Sequence, residues 1–356
     1  MRIGQNPSKV KGSPAYTPAR IGVASLTYVP ALEGYFREAC DVIHVHLESL
    51  RASLNEDCDL CVFDNGSCPE VMDFLLREWR LGKIDWLFLS HHNLGKNGAL
   101  NWILSSMPNE YIVYSDSDVF YRKGWLESSL EIFAAFEQAG MVSAQPVLFD
   151  FLHGQGRTRR ELAAQPGVQL TTVDPDPQFV EEYCDGINAS PELRQQFRQQ
   201  SLAVAVNTAS GTRAVMSATD MQFMLRRDIA RKMVPLPIAG ALTGKDAIEI
   251  PRGVEALGGW LLSTEAPLVW HMGNSISGRP LPEIEALWID ESHQPGASDL
   301  ASKREPVGEN SGKIRLKYRL ARWIRRSPGL KRLVERLYGG LFGLLYEEQR
   351  VGGGKP

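Results

Sequence analysis

From Ile21 to Asp118 the chain alternates short apolar runs with longer amphipathic stretches. IGVASLTYV, DLCVFDNGS, IDWLFLSHH and YIVYSDSD have the length and residue choice of strands. Between them ALEGYFREACDVIHVHLESL, PEVMDFLLREWRLG and KNGALNWILSSM carry apolar residues at helical spacing, with Pro69 in a first turn. Strand–helix alternation of this period predicts a mostly parallel sheet covered on both faces. Ligands of such sheets sit beyond the carboxyl ends of the strands. Each predicted strand runs out in small or polar residues, SLTY, DNGS, SHHN and SDSD, so one candidate site collects there.

The pattern weakens afterwards. A helix is expected from Trp125 to about Ala139 and a strand in MVSAQPVLF. Asp150 to Ser201 reads as a long irregular insertion, with TTVDPDPQF and a polar helix in PELRQQFRQQ, of the kind that sets substrate specificity. Pro280 to Gly312 is polar and loop-like. The expected organisation is a flexible leader (1–19), one α/β domain (20–279, in two halves of about 20–125 and 126–279), a linker (280–312) and a basic amphipathic helical tail (313–348).

SDSD poses the sharpest chemical question. In an extended strand Asp116 and Asp118 would point to the same side, and two like charges held close need a cation or a proton between them. The competing explanation is a solvated turn with Asx hydrogen bonds.

Composition narrows the classes. Of 356 residues 43% are hydrophobic and 23% charged, and the net charge of −3 argues against a uniformly basic nucleic-acid binder. No apolar run is long enough to span a membrane, and the basic N-terminus lacks the apolar core of a secretory signal. Cys40, Cys58, Cys61, Cys68 and Cys184 are an odd set at irregular spacing, which suits a reducing cytoplasm. Cys58 and Cys61 form a C-x-x-C that lacks the further ligands of a zinc site, and the sequons at Asn65 and Asn188 are discounted with the missing export signal. The tail carries ten Lys or Arg between Lys313 and Arg336, with Leu316, Leu320, Trp323 and Ile324 at helical spacing. That pattern fits an anionic membrane surface better than a solvated helix or nucleic acid.

Taken in order, SLTY, DNGS, N-L-G-K-N-G-A-L-N, SDSD, G-K-D-A-I-E with a later Arg and Gly, and H-M-G-N resemble a family-two glycosyltransferase of the GT-A (Rossmann-like α/β) fold, over about Ile21 to Ser275. The resemblance implies that Asp64 contacts the base of a nucleoside-diphosphate sugar, uridine by default, bordered by Thr27 and Tyr28. It carries donor contacts onto Asn93, Gly95 and Asn101, the last with a structural alternative, and onto Asp116 and Ser117. It makes Asp116, Asp118 and His271 the ligands of Mn²⁺ or Mg²⁺, with His91 and His92 as rivals. The acceptor's base maps onto Asp246, with Glu249 as the alternative because Lys245 replaces the first acid of the usual Glu-Asp pair. Arg252 and Gly258 match later family positions.

The expected activity is an inverting, metal-dependent sugar transfer to a saccharide or lipid-linked hydroxyl, in surface polysaccharide or glycolipid assembly at the cytoplasmic membrane face. The alternatives are a sugar nucleotidyltransferase, disfavoured because ASLTYVPALEGY lacks a glycine-rich basic phosphate loop, and a nucleotide-sugar-binding protein without catalysis.

Overall fold

The computed structural model describes residues 16–148, 156–238 and 246–276. The chain divides into two compact units, 1–293 and 294–356, and every described residue belongs to the first. The expectations for the linker (280–312) and the basic tail (313–348) lie outside the described residues, as does the leader up to residue 15. Residues 16–19 are tied down rather than free: the Tyr16 hydroxyl and the Ala19 amide both donate to Asp59, and the Tyr16 ring stands edge-on to Trp86.

Four apolar runs form the parallel side of one sheet: β1 (Ile21–Thr27), β2 (Cys58–Asp64), β3 (Trp86–Leu89) and β4 (Tyr111–Asp116), ordered β3-β2-β1-β4. The helices between them are α1 (Ala39–Ser53), α2 (Pro69–Arg80) and α3 (Gly95–Ser106). Side chains alternate across the sheet, so Ile21, Val23, Leu60 and Val62 meet α1 and α2, while Ala24, Cys61, Phe63 and Tyr114 meet α3. Both faces are therefore apolar, as a doubly covered parallel sheet requires. The C-x-x-C lies inside β2, with Cys58 and Cys61 on opposite faces. Burial pushes both thiols up to about 12, which removes them from thiolate chemistry.

Beyond β4 the sheet is mixed. After α4 (Trp125–Ala135) come β6 (Ala139–Ser143) and, from the far side of the insertion, β8 (Leu202–Asn207), β9 (Arg213–Val215), β10 (Gln222–Arg226) and β11 (Trp260–Ser263). β10 runs antiparallel between β4 and β6, β11 parallel to β6, and β9, β8 and β7 (Val168–Val173) follow antiparallel. The stretch expected to be irregular holds α5 (Gly156–Ala164), β7 (Val168–Val173), α6 (Pro177–Gly186) and α7 (Pro191–Arg198). Asp176 and Ser190 cap the last two helices in front of a proline, which accounts for where each starts. A second, two-stranded sheet pairs β5 (Val119–Tyr121) with β12 (Val269–His271), under α1. The last helices, α8 (Arg227–Met233) and α9 (Asp246–Ala256), cover the α3 face.

Candidate active site

Thr27 and Asp64 are register partners at the carboxyl ends of β1 and β2. Both are fully buried, and Thr27 Oγ1 and Asp64 Oδ1 have no hydrogen-bond partner. The other Asp64 oxygen accepts from the Ser67 amide, yet burial outweighs those bonds and raises the carboxyl above its usual range. Unpartnered buried oxygens side by side at strand ends are what a polar ligand would satisfy. Tyr28, next along, is partly exposed at the rim.

Asn65 was overlooked by sequence reasoning except as a sequon, and it is buried. Its amide joins Asn93 Oδ1 at 3.1 Å and its Oδ1 accepts from the Leu94 amide at 2.9 Å, pinning the loop before α3 to the end of β2. Asn93 in turn accepts from the Gly95 amide at 2.8 Å. Gly95 has φ of +71° with open space where a Cβ would lie. That backbone conformation makes the left-handed turn into α3, which glycine adopts without strain. Asn101 lies away from this loop: its amide donates to Leu236 O and its oxygen accepts from Leu236 N, so the structural alternative accounts for both its polar groups.

The strand does not continue through SDSD. β4 ends at Asp116, the chain turns at Ser117 and Asp118, and β5 begins at Val119. The two acids are therefore held by different layers rather than by strand alternation. Asp116 keeps the face of Tyr114, whose hydroxyl donates to it, and faces α3. Lys96, in the first turn of α3, lies 3.2 Å from Asp116 Oδ2 and 3.1 Å from Asp220 Oδ2. Burial raises the Asp116 carboxyl, Lys96 opposes that, and the nearby charges of Asp118 and Asp220 add to it. Neither Lys96 nor Asp220 was picked out from sequence.

Asp118 faces the other way. Its Oδ2 is 3.1 Å from His271 Nε2, and its Oδ1 is buried without a partner. His271 ends β12, which is registered with Val119 through the β5–β12 pair. Its Nδ1 meets Gly186 O at 3.0 Å, which fixes the ring and turns Nε2 toward Asp118. A Cβ on Gly186 would come within 2.5 Å of His271 O, so only glycine lets the end of α6 approach. Arg122, at the end of β5, braces the same helix through Glu182 at 3.0 Å. Behind the turn, His46 is fully buried between Ser25 and the Val119 carbonyl, and burial lowers it to about 4, so it is neutral. His91 and His92 are exposed on the loop after β3, and it is His271 that contacts Asp118.

One carboxylate and one imidazole with an unsatisfied oxygen fit a divalent cation such as Mn²⁺. Among the described residues no three His, Cys, Asp or Glu side chains converge as a cation site. Asp116, expected as a ligand, is instead engaged by Lys96 and Tyr114. Two protein ligands suit an ion whose remaining positions come from a diphosphate and water.

Asp246 is the first residue of α9, and its side chain lies outside the described residues. Glu249 is half-buried one turn on. Arg252 is exposed, and Gly258, with φ of +90°, follows the end of the helix.

Residues 35–163 match the model of glycosyl transferase family 2. That stretch of the chain is similar in sequence to glycosyl transferase family 2. The α/β architecture expected of that family, GT-A, is the one observed. Among solved structures it is similar to the mannosyltransferase PcManGT from Pyrobaculum calidifontis in complex with GDP-Man and Mn²⁺, at 15% identity and a TM-score of 0.45 over 74% of this chain and 59% of that one. It is also similar to S. aureus TarS 1–349 in complex with UDP, at 11% identity and a TM-score of 0.41 over 71% and 60%. The chain thus spans about three fifths of the length of these structures. Likeness this distant assigns neither donor nor metal to this chain. No curated protein matches the chain.

Proposed function

We propose that the chain is an inverting, divalent-cation-dependent glycosyltransferase that moves a sugar from a nucleoside diphosphate, UDP by preference, to an acceptor hydroxyl. The observation that carries the reading is the row of buried, unpartnered oxygens at the carboxyl side of the sheet: Thr27 Oγ1, Asp64 Oδ1 and Asp118 Oδ1. A nucleotide base laid against Thr27 and Asp64 would satisfy the first two, with Tyr28 at its edge. Asp116 and Ser117 would receive the ribose. Asp118 and His271 would hold Mn²⁺ or Mg²⁺, which when bound neutralises the diphosphate and stabilises it as a leaving group.

The chain's own residues supply the remaining requirements. Asn65 and Asn93 hold the loop that borders the nucleotide. A carboxylate at the start of α9, Asp246 or Glu249, removes the acceptor proton as its oxygen attacks the anomeric carbon. The direct displacement inverts the configuration and needs no covalent enzyme intermediate. The basic segment 313–348 would hold the enzyme at the cytoplasmic membrane face, close to a lipid-linked or polysaccharide acceptor.

The test is release of free nucleoside diphosphate from a panel of sugar nucleotides with Mn²⁺, with and without EDTA. The expected result is donor-selective release that EDTA abolishes. Release insensitive to EDTA would refute cation dependence, and failure to bind any nucleotide in a parallel titration would refute the donor site.

A further inference from the structure

Three carboxylates gather at the end of β4: Asp116, Asp118 and Asp220, the last on the loop before β10. Among the described residues one lysine, Lys96, pairs with two of them, and Asp118 meets His271. Lys96 Nζ donates to Asp116 Oδ2 at 3.2 Å, to Asp220 Oδ2 at 3.1 Å and to Asp220 O at 3.0 Å, and stands 5.2 Å from the centre of the Tyr114 ring. Its position is locally unfavourable, because a cation in a first helical turn opposes the helix dipole. Its side chain is only 20% exposed, so it has also given up most of its hydration. Among the described residues these penalties are met chiefly by Asp116 and Asp220, with the Tyr114 ring beside them, while Asp118 is turned to His271.

Resting on the donor site proposed above, we infer that Lys96 is a positioning residue that divides the work of the two acids in SDSD. By neutralising Asp116 from the α3 side it keeps that carboxylate off the cation and turned toward donor hydroxyls. Asp118 and His271 are then left as the cation's protein ligands. Asp220 is the anchor that holds Lys96 in place across the sheet. Without the lysine, Asp116 and Asp220 stand uncompensated beside Asp118, and the added negative charge attracts a cation and repels a diphosphate. The effect on the two ligands therefore has opposite signs, which a purely structural lysine would not produce.

The experiment uses the full chain and two probes, Mn²⁺ alone followed by electron paramagnetic resonance, and UDP or GDP at saturating Mn²⁺ followed by calorimetry. Lys96→Met is expected to bind Mn²⁺ about three- to tenfold more tightly and the nucleotide about tenfold more weakly. Lys96→Arg keeps the charge and should return both within about twofold of the parent. Asp220→Asn, which loosens the anchor on Lys96, should move both in the same direction as Lys96→Met, by about threefold. Together these three variants keep the inference open to refutation if one of them does not fold. Changes of the same sign in both ligands, or no change in either, would overturn it. A parent protein that binds neither nucleotide would overturn the donor site as well, whereas nucleotide binding with unresponsive Lys96 variants overturns this inference alone.

Discussion

The two halves of the sheet solve different problems. From β3 to β4 the strands run parallel, their side chains are buried on both faces, and their carboxyl ends deliver Thr27, Asp64 and Asp116 directly to one edge. From β10 outward the strands are mostly antiparallel, and the half contributes by reaching back. Asp220 holds Lys96, Gly186 on α6 seats His271, and Glu182 braces Arg122. A parallel frame thus places the proposed donor residues by register alone. The candidate cation pair, Asp118 and His271, depends on contacts between segments far apart in the chain.

Breaking the frame should have the largest effect. Trp125 is fully buried, its ring 4.9 Å from Tyr121 and its Nε1 donating to Ser53. Trp125→Ala should destabilise by about 3–5 kcal/mol in denaturant titration. Acid probes the same region. His46 is neutral in the fold, with its value lowered from 6.5 to about 4. As pH falls through 6.5 the unfolded chain takes up a proton that the folded chain refuses. Stability should therefore decline between those two values by on the order of 3 kcal/mol and level off below them. Unfolding curves across that window check it, and His46→Gln should flatten the slope.

Changes at the clamp should be smaller in stability and larger in binding. Gly186→Ala places a methyl against His271 and should cost about 1–3 kcal/mol, with a matching loss of Mn²⁺ affinity that a frame variant of equal stability lacks. The smallest effect sharpens the contrast from outside both regions. Lys232 and Asp228 form an exposed i,i+4 pair on α8, and Lys232→Ala should shift stability by less than about 0.5 kcal/mol and leave both ligands unaffected.

Legibility in the sequence follows the same division. Strand ends such as Asp64 and Asp116 stand out because each apolar run stops there, and a doubly buried strand is a continuous apolar word. β7, by contrast, is an edge strand that is mostly exposed, with QLTT at its centre, so no hydrophobic alternation announces it. β10 is apolar enough to be seen, but nothing local says that it inserts antiparallel between β4 and β6. Lys96 and Asp220 meet across 124 residues, and only the oddity of a lysine in a first helical turn hinted at a counterion. The turn at Ser117 was also hidden, because SDSD is compatible with either a strand end or a turn until β5 is seen to pair with β12.

The central claim is that Asp118 and His271 form the cation seat of a nucleotide-binding edge. The most direct measurement is calorimetric titration of UDP, with GDP in parallel, into the full chain and into Asp118→Asn, each with Mn²⁺ and with EDTA. Binding should need Mn²⁺ in the parent and fall by at least about tenfold in the variant, a loss of about 1.4 kcal/mol or more. Equal nucleotide affinity with and without the ion, or an Asp118→Asn protein that binds like the parent, would contradict it.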